Sequence, residues 1–115
     1  LATAAEAVGV ALPAEAGEDS QSFLGVLRGA SRTARQSLVL HSIQGAFAIR
    51  RGDWKLIEAK GSGGWTQADG DAAAQLYDLR RDPGEAENRI ASEPVVAREL
   101  RELLMRIREE GRSRR

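Results

Sequence analysis

Gly45-Ala-Phe-Ala-Ile-Arg-Arg-Gly-Asp-Trp-Lys-Leu-Ile57 is the stretch on which the fold turns. Phe47 and Ile49 alternate with Ala48 and Arg50, and Trp54 and Leu56 alternate with Lys55 and Ile57. Both halves therefore carry the period of two that sends successive side chains to opposite faces of a sheet. Between them stands Arg51-Gly52. Glycine takes the positive φ that closes a tight hairpin and arginine resists it, so the pair predicts a bulged turn. Upstream, Leu38 and Leu40 oppose Val39 and His41, and Ser42 to Gly45 is the connecting turn. Three antiparallel strands in sequence order make a meander. A fourth strand, Gln75 to Leu79, is stopped by Asp82-Pro83-Gly84, where Pro presets φ and Gly frees it.

A helical pattern closes the chain. Val96, Leu100, Leu103, Leu104 and Ile107 share one stripe between about Ser92 and Glu110, with Ser92 as the N-cap, Pro94 in the first turn and Gly111 as the stop. That stripe is wide enough to cover one face of a four-stranded sheet, and Glu102 and Arg106 are spaced to pair in water. At the other end, Leu1 to Val8 has helix-forming composition and stops at Gly9. Ser20 reads as the N-cap of a second short helix carrying Phe23, Leu24 and Leu27 before Gly29. The fold class is α+β: a small antiparallel sheet of about four strands packed by a C-terminal amphipathic helix, preceded by two short helices. The opening Leu1-Ala-Thr-Ala-Ala reads as the middle of a helix, so the expectation is a piece of a longer protein.

At 115 residues, with 42% hydrophobic and 30% charged side chains, the chain has the balance of an ordinary globular domain with a modest core. No apolar run approaches the ~20 residues of a membrane span, which gives no membrane partner. The absence of Cys excludes disulfides and thiolate chemistry within these residues and leaves the compartment open. Net charge is zero but blocked: residues 1 to 19 hold four acids and no base, residues 28 to 60 seven bases and two acids, and residues 69 to 87 six acids and two bases. Alternating blocks favour intramolecular pairing over the single-signed face that nucleic acid needs, and Arg112-Ser-Arg-Arg115 is too short to reverse that.

The hairpin phrase and the later Gln75-Leu-Tyr-Asp-Leu-Arg-Arg-Asp-Pro-Gly-Glu-Ala-Glu-Asn88 together resemble the C-terminal end of the arylsulfatase-type sulfatases of the alkaline phosphatase superfamily. There a hairpin reading roughly "aiR-x-G-x-wKLi" precedes "eLYDL" and "DP-x-E-x-x-N". A run similar to 1–29, a helix ending "aGv-x-lP" and then an "SF/L-L-x-x-L-x-G" segment, closes the large catalytic domain in that family. The resemblance therefore covers nearly the whole chain. It implies that residues 1–35 are the helical end of a catalytic α/β domain and residues 36–115 the C-terminal subdomain. It makes Arg50, Gly52, Trp54, Lys55, Tyr77, Asp78, Asp82, Pro83 and Asn88 markers of the fold. The implied parent hydrolyses sulfate esters with a formylglycine, made within a C/S-x-P-x-R motif, beside a divalent cation, with calcium expected. No such motif occurs in these residues, so no catalytic or metal-binding residue is carried over and the isolated chain is expected to be inactive.

Individual side chains carry competing readings. His41, the sole His, could reach a substrate if the end of its strand faced a cleft, though a lone strand histidine is more often a surface or hydrogen-bonded residue. Sulfatases often place a polar residue near this strand. Trp65, in the glycine-rich stretch 60–74, is either folded onto the sheet or displayed to a sugar or aryl group. Arg50 and Lys55 could present cations to a sulfate, but salt bridges and turn contacts among Arg50, Asp53, Asp78 and Asp82 within the sheet are the stronger reading. Asp69, Asp71, Asp78, Asp82, Glu85 and Glu87 fit no EF-hand spacing and read as a charged turn and loop. Asn88 is expected to tie the strand end to the last helix through free main-chain groups. His41 and Trp65 are thus the candidate substrate contacts, and the missing N-terminal catalytic domain is the expected partner. Without it, the helices in 1–29 would expose an apolar face that invites self-association. Two other readings stay open: a standalone interaction module docking through Trp65 and the exposed helices, and the end of a related phosphodiesterase or phosphonate-ester hydrolase.

Overall fold

A computed structural model describes residues 1–30, 35–61 and 72–114. Their order is α1 (Ala2–Ala7), α2 (Leu24–Leu27), β1 (Ser37–His41), β2 (Phe47–Arg51), β3 (Trp54–Ile57), β4 (Gln75–Asp78) and α3 (Pro94–Glu110). The chain divides into two compact units, one of Leu1–Gln36 with Ile107–Arg115 and one of Ser37–Arg106.

In the second unit the four strands form one antiparallel sheet in the order β1-β2-β3-β4. Register aligns Val39 with Ile49, Ile49 with Leu56 and Leu56 with Leu76. This apolar row crosses the whole sheet on one face, and its last three members are fully buried. From α3, Ala97, Leu100 and Leu104 are buried at helical spacing, so the expected stripe is present and Ala97 widens it beside Val96. The sheet is packed by this helix, and each large apolar side chain so buried contributes about 1.5–3 kcal/mol. On the opposite face Ala48, Ile57 and Tyr77 form a second cluster flanked by Ala59 and Leu79. Leu56 and its neighbour Ile57 are thus both buried, one in each cluster. At the edge strand the same face is open: Leu38 and Leu40 are 41% and 42% exposed.

The β2–β3 turn departs from expectation. Arg51 pairs with Trp54 in unbroken register, which leaves Gly52-Asp53 as a two-residue turn and no bulge. Gly52 has φ +59° and Asp53 is not at positive φ, the sign order of a type II′ turn. Arginine escapes the left-handed region by staying in the strand, so glycine alone bears it.

The helix starts also differ from the sequence reading. Glu93 accepts the first helical bond of α3 from the Ala97 N–H, and Pro94 opens the helix, where its missing N–H costs nothing. Ser92 lies one residue outside, its hydroxyl donating to the Arg89 carbonyl at 3.2 Å. Ser20 does not cap α2. Its Oγ accepts from the Ala2 N–H at 2.8 Å, so it satisfies an orphan donor of α1 across 18 residues of chain. The Leu24 N–H of α2 donates instead to Ser22 Oγ at 3.1 Å, and the Phe23 N–H to Thr3 Oγ1 at 3.2 Å. These bonds join α1 and α2 within the first unit.

Candidate functional site

The register divides the candidate residues between the two faces of the sheet. His41 lies on the Ile49 face, paired across the strands with Phe47; their ring centroids are 4.6 Å apart at an interplanar angle of 57°. Tilted stacking of this kind is within the range favoured for rings whose positive edge meets a negative face. Arg50, Lys55 and Tyr77 form a cross-strand row on the other face. Trp65 falls outside the described residues.

Lys55 reaches away from the sheet to Glu85. Its Nζ donates to Oε1 at 2.6 Å and Oε2 at 2.9 Å, with the two side chains 20% and 31% exposed. Glu85 sits at φ +56°, a left-handed conformation that costs an L-residue roughly 1–2 kcal/mol, and the ion pair offsets that strain. The ammonium is thereby committed to a carboxylate of its own chain. Arg50 is exposed, and its Nε donates to the Gly52 carbonyl at 3.3 Å, bracing the hairpin turn.

Around this pair the turn after β4 is closed by side chains. Asp78 Oδ1 accepts from the Arg80 N–H, and its Oδ2 lies 3.7 Å from Arg81 Nε. Asp82 Oδ2 accepts from the Glu87 N–H at 2.8 Å. That bond and those from the neighbouring amides hold the Asp82 carboxyl below its ordinary pKa. Pro83 and Gly84 form the turn that carries the chain from Asp82 to Glu85. Asn88 Oδ1 accepts from the N–H groups of Leu76 and Ile90, both at 3.0 Å, while Nδ2 donates to the Ala74 carbonyl at 3.2 Å. One side chain thus joins β4 to the segment that leads into α3. The Tyr77 hydroxyl donates to Gln75 Oε1 at 2.7 Å, and burial, with the negative charges of Glu85 and Asp82, pushes its pKa up. Gln75 Nε2 in turn donates to the carbonyls of Ala59 and Gly61 at 2.7 and 3.0 Å.

Glu85 and Gln75 were not singled out by sequence as partners of Lys55 and Tyr77. The signal for Glu85 is its place in Asp82-Pro-Gly-Glu-Ala-Glu-Asn88, where a turn directs it back over the hairpin; nothing local marks Gln75. Among the described residues no three His, Asp or Glu side chains converge as metal ligands. Those residues do not fit a resident cation.

A consecutive four-stranded meander, one long helix after it, and a turn closed by Asp82, Glu85 and Asn88 make up a small α+β fold. No family model matches the chain. It is 40% identical over 98 residues to an N-acetylgalactosamine-6-O-sulfatase of Bacteroides thetaiotaomicron, covering 81% of this chain and 19% of that protein. A solved 6S-sulfatase chain from glycosaminoglycan metabolism in B. thetaiotaomicron superposes with a TM-score of 0.77 at 37% identity, over 92% of this chain and 23% of that one. A protein solved with its substrate D-glucosamine-2-N,6-O-disulfate shares the fold, with a TM-score of 0.67 at 22% identity, over 94% of this chain and 22% of its own. The chain is a homologue of the C-terminal portion of sulfatases. It spans about a fifth of the length of the relatives it matches.

Proposed function

We propose that this chain is the supporting C-terminal subdomain of a sulfate-ester hydrolase whose nucleophile and cation centre lie in the preceding part of the protein. The observation that carries the reading is the match to an N-acetylgalactosamine-6-O-sulfatase across 81% of the chain. It includes the hairpin and turn whose side chains are engaged with one another. The substrate class that follows is a 6-O-sulfated amino sugar. The preceding part supplies the formylglycine and the divalent cation, with calcium expected, and the subdomain contributes to the rim of the pocket through His41 and Trp65.

The exposed apolar side chains of the first unit, among them Leu1, Val8, Val10, Phe23 and Leu27, are the surface that the preceding domain covers. In its absence the same surface favours self-association.

The test is an assay of the purified chain and of the full-length parent, each with calcium, on 6-O-sulfated N-acetylgalactosamine, an aryl sulfate and a phosphodiester. Sulfate release by the parent alone is the expected result. Release by the isolated chain overturns the supporting role, and a parent that cleaves only the phosphodiester moves the chain to the related diesterases.

A further inference from the structure

We propose that Arg112–Arg114 is a strap that closes over the loop between α1 and α2 and holds those helices in order. Gly111, at φ +65°, turns the chain out of α3. Beyond it, Arg114 Nη2 donates to three main-chain carbonyls, those of Pro13 at 2.6 Å, Ala16 at 2.8 Å and Ala14 at 3.3 Å. Arg112 Nη1 donates to the Ala14 carbonyl at 3.1 Å. The Arg114 N–H donates to the Glu18 carbonyl at 2.8 Å and the Ser113 N–H to Asp19 Oδ1 at 2.9 Å. From the loop side, Gln21 Nε2 donates to the Ser113 carbonyl at 3.2 Å.

Such a set has a physical cause. A loop without regular structure has carbonyls that lack partners, and a planar guanidinium offers several donors in one fork. Glu15, Glu18 and Asp19 add an acidic setting for the two arginines. The strap acts on α1 through the loop. A Cβ at Gly17 would stand 3.0 Å from Leu1 Cδ2 and 3.1 Å from Ser20 Cβ, so the loop lies directly against the start of that helix. Ser20, at the end of the loop, accepts from the Ala2 N–H, and Thr3 accepts from the Phe23 N–H. Displacing 112–114 therefore frees the loop, then the cap of α1, then the link between the helices. All these contacts lie within one compact unit and stand whatever reaction the parent performs.

Amide hydrogen exchange on the 115-residue chain tests the strap, with Arg114→Ala and Arg114→Lys compared to the unaltered protein. Arg114→Ala should speed exchange at Ala5, Val8 and Ser20 by about tenfold, the equivalent of one or two net hydrogen bonds, with rates in β2, β3 and β4 unchanged. Arg114→Lys, which keeps the charge but not the fork, should fall between. Equal rates at Ala5 and Val8 in Arg114→Ala overturn the strap. So does a loss of protection spread equally through the sheet, or an α1 that is already unprotected in the unaltered chain.

Discussion

Removing the Asn88 side chain takes the acceptor from the N–H of Leu76, a fully buried residue, and breaks the bonds to Ile90 and Ala74 as well. An unsatisfied buried donor costs about 1–3 kcal/mol, and Asn88→Ala should lower the urea midpoint accordingly, read by tryptophan fluorescence. Lys55 and Glu85 separate two effects. Lys55→Met leaves a half-buried carboxylate at positive φ, whereas Glu85→Gly loses the same ion pair but relaxes the backbone, so the glycine variant should be the more stable of the two by roughly 1 kcal/mol. Equal midpoints would show that the conformation at Glu85 carries no strain.

Tyr77 and Asp82 each add a pH dependence to stability. The Tyr77 phenol of the unfolded chain ionises near 10.0 and that of the folded chain higher, so the folded state binds more protons above pH 10 and stability falls there. Tyr77→Phe should flatten that alkaline slope in a pH series of thermal melts. Asp82 works in the opposite sense: its contribution is present above its unfolded value of 3.8 and is lost as pH falls through the lower folded value. The roles of Asp82 in the turn and Asn88 at the strand end were legible because Asx side chains act on main-chain groups close in sequence. Lys55 and Glu85 are thirty residues apart, and the Asp82-Pro83-Gly84 turn is the sole local hint that Glu85 folds back over the hairpin.

At the level of elements, Leu104 is fully buried in α3, and Leu104→Ala should cost about 2–5 kcal/mol of unfolding free energy in urea titrations. Val95, exposed on the same helix, should tolerate the same change to within about 0.5 kcal/mol. Strands and the long helix were readable because alternation and a 3.6-residue stripe are properties of each segment alone. Caps were less readable. Ser20 and Ser92 both carry the right side chain for an N-cap, yet Ser20 serves a helix eighteen residues away and Ser92 serves the turn before α3. A hydroxyl bonds to whichever main-chain group the fold brings near it, and sequence distance does not report that. The β2–β3 turn likewise depended on where pairing stopped: one more residue of strand moved the turn from Arg51-Gly52 to Gly52-Asp53.

For the whole molecule, the purified chain should run larger than a monomer in size-exclusion chromatography with light scattering, and Leu27→Glu should shift it toward the monomer, since Leu27 is one of the exposed apolar residues of the first unit. A monomer in both would assign no cohesive role to that surface. The family was legible in a few side chains of the hairpin and the Asp-Pro turn because they engage one another. The Arg112–Arg114 contacts were not, because main-chain carbonyls leave no trace in the residue types that bear them. Finally, Gln75 grips the carbonyls of Ala59 and Gly61 with the amide of a residue already paired in β4. One side chain thus clasps the end of β3 to the start of β4, so Gln75→Leu should let both strand ends fray together while the hairpin between β2 and β3 keeps its protection.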